Sequence, residues 1–267
     1  MSNPTDSPQY RQRKAFFDQM LTIYGRKPVL EALQDSSLPI YRLHLADSNR
    51  EHGIVAEIIA LAETRGVERQ YHDRRALSHI SRNGKQDQGV ALDIHLPAYR
   101  PYQQLLPAAA STRLIALDRI TNPQNLGMII RSVSAAGIGG LLLPKTGCAA
   151  LSPLVIKASA GTLFRAPLFY CEQLAPALSS LKDAGFAVCS LSSRASDSLF
   201  SYRPRRPTIY VLGNESEGVS PAVATLSDEQ LRIPLHNGVE SLNVAVTAAL
   251  LAFTLGPTNG DAVQDPE

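Results

Sequence analysis

Four stretches carry residue types that do chemistry rather than packing. The first, NPQNLGMIIRSVSAAGIGG at 122–140, opens like a turn and continues like a helix, yet sets Asn125, Gly127 and Arg131 among apolar residues. Asn122 before Pro123 is turn chemistry and Asn125 is placed to cap a helix, which accounts for the asparagines but not for Arg131. An arginine between Ile130 and Val133 is ordinarily a surface residue whose stem lies along the core; the other reading gives it a function. In the second stretch, GNESEGVS, Gly213 and Gly218 bracket Glu215 and Glu217. It reads either as a flexible acidic loop or as backbone held close to a ligand. In the third, HNGVESLNVAVTAALLAF, the residues Glu240, Ser241 and Asn243 crowd the start of an apolar helix with more polarity than one cap needs. The fourth, FAVCSLSSRAS, ends a strand in a serine-rich loop and by itself says little.

Several chemistries are disfavoured. GIGG at 137–140 is not a GxGxxG after a first strand, and the chain has no GxxxxGK[ST], HExxH or GxSxG. A standard dinucleotide fold, a P-loop NTPase and a serine hydrolase therefore do not fit. The three cysteines, Cys148, Cys171 and Cys189, form no CxxC pair and read as reduced, buried thiols, with neither metal nor disulfide expected. With 44% hydrophobic and 19% charged residues and a net charge of +2, the 267-residue chain has an ordinary globular composition. Any basic surface must come from local clusters. No apolar run is long enough to span a membrane, and the polar start, MSNPTDSPQYRQRKAFFDQM, lacks a signal-peptide core, so a cytoplasmic location is expected.

The elements that must position these residues fall into two groups. From 21 to 98 the chain alternates. IYGRKPVLEALQD reads as a helix, IYRLHLAD as a strand, HGIVAEIIALAETRGV as an amphipathic helix, ERQYHD as a strand, RRALSHIS as a helix and GVALDIHL as a strand. Residues 1–20 read as a flexible leader with a short helix, the proline-rich 99–111 as a linker and 258–267 as a disordered tail. From 112 to 257 strands and helices alternate again: RLIALD, GLLLP, FAVCSLSS, TIYVLGNE and LRIPL as strands, with LGMIIRSVSAAG, SPLVIKASAGTL, LAPALSSLKDAG and SLNVAVTAALLAFTLG as helices. Such a pattern predicts an α/β fold with a mostly parallel sheet whose ligand site lies at the carboxyl ends of the strands.

LDRITNPQNLGMIIRSVSAAGIGG, IYVLGNESEGVS and RIPLHNGVESLNVAVTAALLAF resemble, in order and spacing, the three motifs of the SpoU/TrmH family of RNA ribose methyltransferases. YGRKPVLEAL and QGVALDI are similar to the small L30e-like RNA-binding domain that precedes the catalytic domain in bacterial large-subunit rRNA guanosine 2'-O-methyltransferases. The resemblance implies a SPOUT domain with a deep carboxyl-terminal trefoil knot, a homodimer formed through that knotted domain with composite active sites, and S-adenosylmethionine as cofactor. It implies catalytic roles for Asn125, Arg131, Glu215, Ser241 and Asn243. Cofactor contacts are implied at Leu212, Gly213, Gly218, Ile233, Leu242 and Asn243. Ser216 departs from the family, which often has glycine there, and is expected to stiffen its loop slightly.

The implied reaction is methyl transfer to a ribose 2'-hydroxyl, most simply of a guanosine in 23S rRNA. Alternatives are a tRNA 2'-O-methyltransferase, an rRNA adenosine enzyme of the same layout, and a non-catalytic RNA-binding assembly factor. The resemblance makes Arg131 either a general base or a charged clamp on phosphate and oxyanion, oriented by Glu215. Neutralising an ordinary arginine at pH 7 costs roughly 7–8 kcal/mol, which weighs against the base. Contacts with RNA are expected from Arg26, Lys27, Arg74, Arg75 and Arg119 and from the cluster Arg203, Arg205 and Arg206, placed around the site.

Overall fold

The computed structural model describes residues 20–36, 38–95, 100–106 and 108–256. These divide into two compact units, with the boundary between positions 98 and 99.

The first unit is a four-stranded sheet in the order β1-β4-β2-β3: β1 (Met20–Tyr24), β2 (Ile40–Ala46), β3 (Glu68–His72) and β4 (Val90–His95). β4 is antiparallel to β1 and β2, whereas β2 and β3 run parallel. Strand alternation sends Ile23, Leu43, Leu45, Leu92 and Ile94 to one buried face. Helices α1 (Arg26–Gln34) and α2 (Ile54–Thr64) supply Val29, Leu33, Val55 and Ile58 to this unit's core. Truncating one of these fully buried leucines to alanine costs about 2–5 kcal/mol. α3 (Arg74–Ser81) begins at Asp73, whose side chain caps Ala76 N, and packs Leu77 with Ala46 and Ala91 on the opposite face.

One boundary differs from the sequence reading. Ile23 and Tyr24 belong to β1, not to the following helix, because Gly25 at φ +92° turns the chain and Leu21–Ile94 and Ile23–Leu92 pair across the sheet. The expected leader loses Met20 to the same strand; its other residues, 1–19, lie outside the described residues, as does the expected tail, 258–267.

The second unit is an eight-stranded sheet in the order β10-β12-β9-β11-β6-β7-β8-β5. Every pairing in it is parallel. The strands are β5 (Arg100–Pro101), β6 (Arg113–Leu117), β7 (Leu141–Pro144), β8 (Leu168–Cys171), β9 (Ala187–Leu191), β10 (Asp197–Ser198), β11 (Thr208–Leu212) and β12 (Glu229–Arg232). β11 is buried along its whole length, as expected of a central parallel strand covered on both faces. The helices are α4 (Pro123–Ala136), α5 (Pro153–Ala158), α6 (Leu174–Asp183), α7 (Pro221–Ala224) and α8 (Val244–Leu255).

Three features of this unit depart from the sequence reading, one being the two-residue strand β10, which exists only through its pairing with β12. β8 was not expected, since LFYC is too short to show alternation. The described part of the linker is not a free spacer: Arg100 and Pro101 pair with Phe169 and Tyr170, and Leu105 is buried in the second unit's core. Its apolar residues, not its prolines, decide its fate. Among the described residues no helix is long and apolar enough to cross a membrane, and no cluster of three or more His, Cys, Asp or Glu could hold a metal.

Candidate active site

β6 and β11 are neighbours, and the chain leaves β6 toward β7 on the other side, so the sheet reverses its direction of growth between them. Ligands of open parallel sheets bind at such a switch point, beyond the carboxyl ends of the strands. The loops after β6, β9, β11 and β12 meet there.

After β6, Asn122 caps α4: its Oδ1 accepts from Gln124 N at 2.8 Å, and Pro123 takes the first turn, where no amide donor is required. The cap is thus Asn122, which frees Asn125. Asn125 is buried, its Nδ2 donates to Glu215 Oε1, and its Oδ1 accepts from Asn243 Nδ2 at 3.2 Å. Asn243 in turn caps α8 through Ala245 N at 2.8 Å. One buried amide therefore ties together the loops after β6, β11 and β12. Gly127 serves packing: a Cβ there would stand 2.5 Å from Ala158 Cβ and 2.7 Å from Val155 O, so α4 and α5 approach only because it has none.

The loop after β11 is closed on itself. Asn214 N donates to Gly218 O and Gly218 N to Asn214 O, both at 2.9 Å. A Cβ on Gly213 would lie 2.1 Å from the Gly218 carbonyl carbon, so this crossing too needs glycine. Asn214 Oδ1 accepts from Ser216 N at 2.9 Å, and its Nδ2 donates to Arg119 O at 3.2 Å. Ser216 keeps a negative φ, so serine replaces glycine there without backbone strain. Asp118, buried at the end of β6, accepts from Ser220 N, and Arg119 bonds Glu217 and donates to Gly218 O at 3.1 Å. Sequence reasoning missed Asp118, although a lone carboxylate at the end of an apolar strand is itself a signal.

Between these loops lies a cleft of about 200 Å³. Leu212, Gly213, Gly218, Ile233 and Leu242, all expected at a cofactor site, line it, together with Glu215 and Ser241. Asn243 does not; it stands behind, on Asn125. Leu191, Ser192 and Ser193 also line the cleft, so the serine-rich loop that was uninformative as sequence forms one wall. Its charged lining groups are two carboxylates, Glu215 and Glu240, beside an apolar surface of Leu231, Ile233, Leu235 and Leu242. Carboxylates next to aliphatic walls and bare backbone suit a flat, partly apolar ligand that carries positive charge. S-adenosylmethionine, with its adenine and its sulfonium, fits that description.

Arg131 is not gathered into this constellation. It is exposed and makes no hydrogen bond or ion pair among the described residues, and Glu215 bonds Asn125 rather than Arg131. The orienting contact expected from Glu215 to Arg131 is not formed within a single chain. Six residues of α-helix carry Arg131 about 9 Å along α4 and roughly a third of a turn round from Asn125.

The basic residues are also dispersed. Arg113, at the first residue of β6, donates to the carbonyls of Pro204 and Arg206 at 3.1 and 3.2 Å. The Arg203–Arg206 cluster thus sits at the amino end of β6 and β11, opposite the cleft, and not around the site. Arg119 lies at the cleft but is engaged by Glu217. Arg26 donates to Gln88 O at 3.2 Å and to Asn49 at 3.3 Å in the first unit, where Lys27, Arg74 and Arg75 are exposed.

The cysteines are ill suited to nucleophilic work. Burial pushes Cys171 up to about 12 and Cys189 up to about 11, and raises Cys148 as well.

Residues 112–253 match the SpoU rRNA Methylase family, and residues 22–100 match the RNA 2'-O ribose methyltransferase substrate binding family. The chain belongs to the SpoU rRNA methylase family. A relative from Mycolicibacterium gilvum, named an uncharacterized tRNA/rRNA methyltransferase, is 32% identical over 91% of this chain and 77% of its own length. One from Mycobacterium ulcerans bearing the same name is 32% identical over 91% and 79%. The SpoU methyltransferase AviRb from Streptomyces viridochromogenes, solved with AdoMet, shares the fold at TM-score 0.64 and 22% identity, covering 94% of this chain and 92% of that one. A Porphyromonas gingivalis protein assigned to the RNA methyltransferases of the TrmH family aligns at TM-score 0.62 and 26% identity, over 94% and 93%. As a SpoU methylase, the chain is an RNA methyltransferase.

Proposed function

We propose that this SpoU methylase transfers the methyl group of S-adenosylmethionine to a ribose 2'-hydroxyl, favouring a guanosine of 23S rRNA. The observation that carries the reading is the Glu215–Asn125–Asn243 chain of hydrogen bonds at the edge of the acidic cleft. It fixes a carboxylate and two amides where three loops converge, with Ser241 beside them. Leu212, Gly213, Gly218, Ile233 and Leu242 hold the cofactor by backbone and packing, and Glu215 and Glu240 favour its positive charge. The cofactor supplies an electrophilic methyl group. Asn125, Ser241 and Asn243 orient the ribose so that its 2'-oxygen lies in line with that group.

The hydroxyl must lose a proton, and oxyanion charge develops as it does. Arg131 supplies the countercharge, either as a charged clamp on the adjacent phosphate or as the base. Exposed and unbonded in its own chain, it does so from a second copy, in a homodimer with composite sites. Support for the dimer comes from the apolar groups left exposed on α4 and α8, Met128, Val246 and Phe253. We read the segment from β12 to α8 as the knotted part of a SPOUT domain, supported by its return to α4 through Asn125 and through Gly256, whose Cβ would meet Ala136 O at 2.7 Å. We read residues 21–98 as the L30e-like domain that delivers RNA and 112–257 as the catalytic domain.

The deciding experiment is methyl transfer from labelled S-adenosylmethionine to rRNA and tRNA from cells lacking this gene, with ribose-methyl mapping. One 2'-O-methyl mark in large-subunit rRNA is expected. A tRNA mark keeps the chemistry and overturns the substrate; bound cofactor with no acceptor in rRNA, tRNA or ribosomal assembly particles favours the non-catalytic reading.

A further inference from the structure

The two faces of the first unit's sheet are built on opposite terms. One is aliphatic over β1, β4 and β2 and is covered by α1 and α2. On the other, α3 covers only the end at Ala46 and Ala91, and the remainder is the floor of a pocket of about 640 Å³. That floor is polar and buried. Thr22 Oγ1 donates to Asp93 Oδ1 at 2.6 Å, Asp93 Oδ2 meets His44 Nε2 at 3.0 Å, and His44 Nδ1 meets His72 Nε2 at 2.9 Å. Side chains from four neighbouring strands thus form one chain of hydrogen bonds. Asp93 and His44 are about 95% buried.

Such a network is a poor way to stabilise a small sheet, since aliphatic residues of the same volume do at least as well. The opposite face demonstrates that this sequence can build one. The pocket also keeps unused hydrogen-bonding groups. Arg42 gives Nη2 to Glu68 at 2.9 Å and Nη1 to Gln70 at 3.3 Å, which leaves the second Nη1 proton as a donor. Asn83 spends its Nδ2 on Tyr24 and Gln86, which leaves its carbonyl oxygen as an acceptor. A donor and an acceptor therefore line the same cavity as the aromatic ring of Tyr24 and the aliphatic side chain of Ile80.

The charge balance selects the ligand class. In the floor Arg42 is neutralised by Glu68 and the Asp93 carboxylate is buried, so a phosphate there would meet a negative group; the exposed rim carries Arg82 and His79, which suit the backbone phosphate beside a base that enters. A neutral heteroaromatic edge meets donors and acceptors. We propose that this pocket of the first unit holds one unpaired nucleobase of the RNA, hydrogen-bonded at its edge by Arg42 and Asn83 and bounded by Tyr24 and Ile80. The proposal rests on the reading of the chain as an RNA methyltransferase and adds a second point, apart from the methylated nucleotide, at which sequence is read.

The test uses the full-length chain and labelled single-stranded oligoribonucleotides of about ten residues, poly-A, -C, -G and -U, beside an abasic strand of the same length and charge. At least one base-bearing strand should bind about tenfold tighter than the abasic strand. Asn83→Ala, which removes the acceptor, and Gln70→Ala, which removes the bond holding Arg42 at the pocket, should each take away most of that advantage while leaving abasic binding and cofactor binding unchanged. Equal binding of base-bearing and abasic strands, or variants that keep the full advantage, overturns the pocket. Failure of the methyltransferase reading would show differently, as loss of cofactor binding and methyl transfer with base discrimination intact.

Discussion

The Oδ1 of Asn125 accepts from the Nδ2 of Asn243, 118 positions further along the chain, at 3.2 Å. Because the other end of the Asn125 amide is held by Glu215, its orientation is fixed, with oxygen toward Asn243 and nitrogen toward the carboxylate. Asn243 has a second duty as the cap of α8. The two duties separate experimentally. Asn243→Asp keeps a capping oxygen but sets an acceptor against an acceptor, so methyl transfer should fall at least tenfold with little change in thermal midpoint. Asn243→Ala should lose activity and also about 1 kcal/mol of stability through the missing cap. Activity and melting measured together decide it, and an Asp variant of full activity would count against the network's role.

Gly127 makes a purely structural prediction inside a motif that invites a functional one. Gly127→Ala forces a methyl group into Ala158 and the Val155 carbonyl, where backbone rather than a flexible side chain must yield. Overpacking of this kind costs about 1–3 kcal/mol. The denaturation midpoint should drop accordingly, with cofactor affinity of the folded fraction unchanged. An alanine variant as stable as the parent would mean that the helices separate easily.

If Arg131 serves the site of a second copy, two inactive variants repair each other. Arg131→Ala and Asn125→Ala should each abolish transfer, whereas their co-expressed mixture should regain roughly a quarter of normal activity, since half the dimers are mixed and carry one intact site. Activity no higher than that of either variant alone would place Arg131 in its own subunit's site or outside catalysis.

How far the sequence could be read depended on the range of the interactions. Strands and helices with clear period, such as IYRLHLA and IVAEIIALAET, stand where their patterns put them. The strand at Leu168 and the docking of Arg100 were hidden because each is too short to carry a period and exists only through its partner strand. At the site, the resemblance picked out Asn125, Glu215 and Asn243, and the structure brings these together. Local rules alone misassigned the cap, since Asn122 and Asn125 are equally good capping residues and only the burial of Asn125 separates them. Leu191 to Ser193 were illegible because nothing in that loop reveals which other strand ends lie beside it.

The first unit should be sensitive to acid in two steps. Burial, and then the neighbouring His44, lowers His72 from the ordinary 6.5. Burial alone would raise Asp93, but hydrogen bonds from His44 and Thr22 outweigh it and hold the carboxyl below its ordinary 3.8. A group whose folded value is depressed stabilises the fold above its unfolded value and gives that up as pH falls toward the folded one. Stability should therefore start to fall below 6.5, from His72, and fall again below 3.8, from Asp93. Hydrogen exchange of the β2 and β4 amides, corrected for the intrinsic pH dependence, reports the opening of this sheet alone. His72→Gln should flatten the upper step and leave the lower one in place. Protection independent of pH between about 7 and 5 would mean that His72 titrates with its ordinary value and that its contact with His44 carries no coupling.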